Sequence, residues 1–260
     1  MKSLTEFHIP LDFVLTDIDD TLTSEGQLPG RAYQALWDLH DAGLSIIPIT
    51  GRPAGWCEMI ARLWPVAGVV GENGGFWFRY HKKKMLRDYF LDSQKIIENR
   101  KKLNQLAMEI PMKVPGCAIA SDQFCRQMDL AIDFCEDVPP LPSSEIQKIV
   151  SLFTEVGAQA KVSSIHVNGW FGTYDKLTMT LRLLKDQFGL EPDQARQVCG
   201  FSGDSPNDEP MFEFFPHSFG VANIQDFSAS LRSPPTYVAS HRGGDGFVEI
   251  AKQILKMKTR

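Results

Sequence analysis

The sequence predicts an α/β protein: a parallel-sheet core interrupted by an inserted α+β unit. Two patterns carry this reading. Towards both ends of the 260-residue chain, short apolar runs alternate with amphipathic helical stretches, as crossover-connected parallel strands require, whereas the middle reads helix, strand, strand, written twice. A third observation gives the fold a working edge. Acid and hydroxyl side chains recur where the expected parallel strands end, which is where open α/β sheets bind ligands.

In order, Phe13 to Ile18 is an apolar run interrupted by acid, followed by a Gly- and Pro-containing loop and a helix from Arg31 to Ala42. Leu44 to Ile49 is nearly continuous in apolar residues, as befits a strand covered on both faces. It ends at Thr50-Gly51-Arg52-Pro53, where Gly51 turns the chain and Pro53 suits the first position of a helix running to Leu63. Ala67 to Val70 makes a third strand. Phe76 to Tyr80 and Met85 to Phe90 flank the basic turn His81 to Lys84. The repeated unit then reads as a helix from Ser93 to Glu109, strands Cys117 to Ser121 and Gln127 to Phe134, a rigid Pro139-Pro140-Leu141-Pro142 connector, a helix from Ser143 to Val156, and strands Gln159 to Ser163 and Ile165 to Phe171. Afterwards the α/β pattern returns with a helix from Lys176 to Phe188 and a strand from Gln197 to Phe201. Gly203-Asp204-Ser205-Pro206-Asn207-Asp208 opens a short helix, and strands at Ser218 to Val221 and Thr236 to Ala239 precede a last helix from Gly246 to Lys256. This division puts residues 1–80 and 173–260 in the core and 81–172 in the insertion.

Composition narrows the function classes. A 43% hydrophobic content with 20 Gly and 16 Pro excludes disordered and collagen-like chains. The net charge of −5 argues against a general nucleic-acid or anionic-membrane binder, while leaving room for an anionic small molecule at a locally positive site. Met1 to Asp12 lacks the apolar segment of a signal peptide and no run approaches 18 apolar residues, so a cytoplasmic protein is expected. The cysteines (Cys57, Cys117, Cys125, Cys135, Cys199) lack C-x-x-C spacing and read as reduced thiols.

Asp17 and Asp19, Thr50, and Asp204 with Asp208 fall at strand ends, and Lys176 at a helix start. Each alone is an ordinary turn or cap residue. Together and in this order they resemble the motifs of the haloacid dehalogenase (HAD) superfamily. Asp17-Ile18-Asp19-Asp20-Thr21-Leu22 is similar to D-x-D-G-T-L with Asp20 in place of Gly, Thr50-Gly51-Arg52 to the second motif, Lys176 to the third, though followed by Leu177 rather than Gly, and Gly203 to Asp208 to G-D-S-x-N-D. Gly71-Glu72-Asn73-Gly74 and Gly220-Val221-Ala222-Asn223 resemble the capped type IIB subclass, which includes sugar phosphatases and Cof-type phosphatases.

The resemblance implies a Rossmann-like core with an inserted α+β cap domain, and an Mg²⁺-dependent phosphomonoester hydrolase that works through an aspartyl-phosphate. Asp17 would be the nucleophile. Asp19, two residues along an extended strand and so on the same face, would protonate the leaving oxygen and activate water. The acids Asp17, Asp19, Asp204 and Asp208 would repel a phosphate dianion unless a cation joined Lys176. In the family the metal is held by the equivalents of Asp17, Asp204 and the carbonyl of Asp19, with Asp208 in support. Thr50 and the loop amides after it would hold the phosphoryl oxygens, with Gly51, Arg52, Asn73 and Asn207 on the substrate. The cap would select a phosphorylated sugar or related small metabolite, with Arg126, His166, Asn168 and Trp170 as inward-reaching candidates. A monomer or homodimer without nucleic-acid or membrane partners is expected. Two rivals use the same scaffold: a phosphomutase, which would need a bisphosphate, and a non-catalytic sugar-phosphate sensor, which would usually have lost Asp17 or Asp19.

Overall fold

In the computed structural model, which describes residues 1–163 and 165–258, the chain opens with β1 (Lys2–Ser3) and β2 (Phe13–Thr16). It continues through α1 (Gly30–Asp41), β3 (Ser45–Pro48), α2 (Ala54–Leu63) and β4 (Val69–Gly71) to a hairpin of β5 (Phe76–His81) and β6 (Lys84–Tyr89). The insertion follows as α3 (Ser93–Lys113), β7 (Ala118–Ile119), β8 (Leu130–Asp133), α4 (Ser143–Thr154), β9 (Gln159–Val162) and β10 (His166–Trp170). The chain returns with α5 (Lys176–Phe188), α6 (Pro192–Val198), β11 (Cys199–Gly203), α7 (Glu209–Phe214), β12 (Ser218–Gly220), β13 (Tyr237–Val238) and α8 (Gly243–Lys258). Among the described residues, no helix is long and apolar enough to cross a membrane.

The core sheet has the order β1-β13-β12-β11-β2-β3, with every pair parallel. A parallel bridge between Ile49 and Val70 carries it on to β4, which pairs with the β5–β6 hairpin. The continuous apolar runs have a direct cause. On β2, Val14 packs with Leu36, Leu39, Ile250 and Ile254 of α1 and α8, while Phe13 and Leu15 pack with Met179 and Leu183 of α5 on the other face. Ile46 and Ile47 divide between the faces in the same way. The α/β core with its inserted α+β unit is therefore the fold class expected.

The cap is the antiparallel sheet β7-β8-β10-β9 backed by α3 and α4. Leu103, Leu106 and Ile110 of α3 and Ile149 and Phe153 of α4 cover Leu130, Ile132 and Val167. Side chains alternate along β10, so His166, Asn168 and Trp170 share the face opposite Val167, and they too are buried. That second face meets the core, and this brings cap residues to the working edge of the sheet.

Element edges differ from the sequence reading in instructive places. Residues 197 and 198, expected in a strand, close α6, because Pro192 at its first turn and a Glu191 capping box start a helix there. Residues 127–129, also expected in a strand, instead give their backbone N–H groups to a core carboxylate. β1 carries no apolar signal; it is exposed and joins the sheet through its backbone, with Lys2 N–H donating to Thr236 O at 2.7 Å.

Candidate active site

The sheet's carboxyl edge assembles the acids strand by strand. Asp17 follows β2 directly, and its N–H donates to Ser202 O of β11 at 2.9 Å, so strand pairing itself fixes its position. Asp204 follows β11 next to it. Asp208 folds back over the turn, where its Oδ2 accepts from Asp204 N–H at 3.2 Å. This return explains Gly203, since a Cβ there would lie 2.4 Å from Asp208 Oδ2. Lys176, the first residue of α5, donates to Asp17 Oδ1 at 2.7 Å and Asp208 Oδ1 at 2.8 Å. Gly74, at φ +102°, lets the Glu72-Asn73-Gly74 turn come against the start of this helix; a Cβ would sit 2.0 Å from Asp175 O.

Burial governs the electrostatics. Asp17 is pushed up to about 8, by burial first and then by the neighbouring Asp208 and Asp19, with Lys176 pulling the other way. Burial and the charges of Asp208 and Asp17 raise Asp204 well above the carboxylate range. Lys176 is also raised: burial opposes its charge, and Asp17 and Asp208 more than offset that. Asp17, Asp204 and Asp208 each offer an oxygen within 4.8 Å of the others. An all-oxygen cluster of this size suits a hard divalent cation.

The second acid faces the loop after β3. Arg52 Nε donates to Asp19 Oδ1 at 2.9 Å and Oδ2 at 3.1 Å. Thr50 is fully buried and sits behind the cleft wall; its Oγ1 accepts from Arg52 N–H at 2.9 Å and so shapes the loop. Gly51 leaves room for the Asn73 amide, which would be 3.2 Å from a Cβ. Asn73 itself lies at φ 55°, with a buried Nδ2 that has no hydrogen-bond partner. Asn207 lines the cleft with its Oδ1 accepting from Ser205 Oγ at 3.0 Å. Asp20, where the motif usually has Gly, adopts φ 57°, a left-handed conformation that Asp tolerates better than most residues.

A cleft partly open to solvent joins Asp17, Asp19, Lys176 and Asp204 to Arg52, Asn73 and the cap residues Arg126, His166 and Asn168. Trp170 does not join them there. It stacks on Tyr174 with ring centres 5.6 Å apart and donates to Tyr174 O, packing the connection between cap and core.

The structure adds residues that the sequence did not single out. Glu136 of the cap accepts from Arg52 at 3.2 and 3.3 Å. His166 Nε2 lies 2.9 Å from Glu136 Oε2, within ion-pair reach but off the line of a hydrogen bond. Beside His166 and Arg52, Glu136 is held down to about 2. Arg126 is clasped by Asp122 at 2.8 Å and Asp129 at 3.1 Å. Glu72 is fully buried and accepts N–H bonds from Ala54, Gln127, Met128 and Asp129. Glu72 had a local signal, its place beside Asn73 in a Gly-bounded turn. Glu136 had none, because its partners Arg52 and His166 lie far away in the sequence.

Residues 14–114 match the family model of haloacid dehalogenase-like hydrolases. No curated protein matches the chain in sequence. Among solved structures, protein 0175 of Thermoplasma acidophilum superposes with a TM-score of 0.72 at 18% identity, over 95% of this chain and 99% of that one. A HAD/Cof-like hydrolase from Plasmodium vivax gives 0.68 at 17%, covering 98% of each chain. The sucrose-phosphatase of Synechocystis, solved with sucrose and phosphate, gives 0.63 at 17%, over 95% of this chain and 98% of that one.

Proposed function

Because the chain is a haloacid dehalogenase-like protein of the Cof-like, type IIB capped kind, we propose that it is a phosphatase that hydrolyses small phosphorylated metabolites, sugar phosphates foremost. The observation that carries this reading is the convergence of Asp17, Lys176, Asp204 and Asp208, from separate segments, into one buried cluster at the sheet's carboxyl edge. The likeness to a sucrose-phosphatase supports the substrate class.

Asp17 attacks phosphorus and forms an aspartyl-phosphate as the bond to the leaving oxygen breaks. Asp19 gives that oxygen a proton, then takes one from the water that releases phosphate. Lys176 fixes the Asp17 carboxylate and offsets part of the acid charge. Arg52, Gly51, Asn73 and Asn207 receive the substrate, and Thr50 holds the loop that carries them. Asp17, Asp204 and the carbonyl of Asp19, with Asp208 in support, would hold Mg²⁺. The oxygen-only donor set fits that ion, and the elevation of Asp17 to about 8 marks a cluster short of positive charge. When bound, the ion supplies charge that keeps Asp17 ionised and offsets the phosphoryl oxygens.

With p-nitrophenyl phosphate, Asp17→Asn abolishes turnover; a fully active variant removes the nucleophile assignment. EDTA abolishes wild-type turnover and magnesium restores it. Activity indifferent to chelation removes the metal from the reading.

A further inference from the structure

The charges around the cleft bear on which leaving group it accepts, a question that rests on the phosphatase reading. Three permanent cations line the cleft, and each is already held by at least two carboxylates: Lys176 by Asp17 and Asp208, Arg52 by Asp19 and Glu136 with Asp122 at 3.9 Å, and Arg126 by Asp122 and Asp129. Asp204 adds a further acid. Among the described residues lining the cleft itself, no permanent cation is left without a carboxylate partner for a second anion on the substrate, and the exposed Lys161 lines the adjoining pocket. The cleft does have spare neutral capacity: Asn73 Nδ2 is buried, faces the cleft and has no hydrogen-bond partner.

Glu136 is what makes the cap side of this balance acidic. Its side chain is about one third exposed and stands at the rim between two lining residues, Arg52 and His166, touching both. Removing its charge would leave Arg52 with Asp19, and with Asp122 at 3.9 Å, would take away the carboxylate beside His166, and would make the cap rim one charge less negative towards the leaving group. We propose that Glu136 is a selectivity-determining residue: by occupying Arg52 and His166 it bars substrates with a second anionic group and reserves the cleft for uncharged, hydroxyl-bearing leaving groups. The physical basis is that juxtaposed like charges at a partly desolvated surface discriminate strongly, while hydroxyls can pair with a carboxylate and an amide. Glu136 stays ionised through the neutral range, so the bar is not relaxed by ordinary changes of pH.

The test compares two six-carbon ligands, glucose 6-phosphate, a pyranose, and 6-phosphogluconate, its open-chain C1 acid, and the Glu136 variants separate the effect of the added carboxylate from that of ring opening. Equilibrium binding is measured by calorimetry with magnesium present, in the Asp17→Asn background so that turnover does not intrude. Glucose 6-phosphate should bind at least about tenfold more tightly. Adding Glu136→Gln should tighten 6-phosphogluconate by about tenfold and bring the two within about threefold. Glu136→Asp, which keeps the charge, should retain the preference, separating a charge effect from damage to the fold. Equal or tighter binding of 6-phosphogluconate, binding of neither ligand, or a preference that survives Glu136→Gln overturns the proposal. Failure of the phosphatase reading registers separately, as wild-type enzyme without turnover.

Discussion

Two buried charge clusters lie close together in this protein and serve different ends. At the seam between cap and core, Glu72 accepts four backbone N–H groups, and Arg126 is answered by Asp122, Asp129 and the carbonyl of Gly51 at 2.9 Å. At the sheet edge, the ammonium of Lys176 pairs with Asp17 and Asp208, and Asp204 clusters with those two acids. Each cluster sets three carboxylates against one cation, and Glu72 too is raised, to about 7, by burial first and then by Asp129. The seam adds four N–H donors to Glu72 and thereby joins two units, whereas the edge turns Asp17 and Asp204 to the cleft, open to a cation and a phosphoryl group. Buried charge alone does not mark a reactive site; buried charge turned to a cleft does.

The sharpest break between the two clusters is Asp17→Asn. It should lower p-nitrophenyl phosphate turnover by at least ~10³-fold with little loss of stability, because burial, Asp208 and Asp19 oppose the Asp17 charge and Lys176 keeps Asp208 as a partner. The same variant carries a pH signature. Asp17 has an ordinary value of 3.8 and is raised to about 8 in the fold, so its favourable contribution is complete below about pH 4 and is lost as pH rises through 8. In metal-free protein, Asp17→Asn should therefore raise the melting temperature more at pH 9 than at pH 5. Equal shifts at both would show that the carboxylate is not buried under strain of charge.

Arg126→Ala comes next, with the opposite outcome. It leaves Asp122 and Asp129 buried without their cation and should cost about 3–5 kcal/mol in urea unfolding. Glu72→Gln keeps the shape but can no longer accept as a charged group from its four amides, so about 1–3 kcal/mol is expected. The smallest effect is at Asp20, which holds a left-handed φ of 57°: Asp20→Gly should stabilise the protein by up to about 1 kcal/mol, because glycine adopts that conformation without strain.

Much of the core was legible because its signals are local. β2, buried throughout, and β3, buried after Ser45, were readable from continuous apolar runs, since helices cover both faces. Gly203 and Gly74 marked turns whose need for glycine is visible as a close approach to Asp208 and to Asp175. β1 was not legible, because exposed Lys2 and Ser3 contribute only backbone to the sheet. Trp170, one of the inward-reaching candidates, stacks on Tyr174 instead, a choice that depends on how cap and core meet.

By itself the sequence determined the parallel core, its interruption, and the acids and lysine that end its strands and begin its helix. Those features follow from continuous apolar runs, turn chemistry and caps, which act over a few residues. Only the tertiary structure decided which carboxylate holds which cation: Arg52 between Asp19 and Glu136, Lys176 between Asp17 and Asp208, Glu72 across the cap seam. These pairings join residues far apart in the chain, and their strength comes from burial, which exists only once cap and core have closed around them.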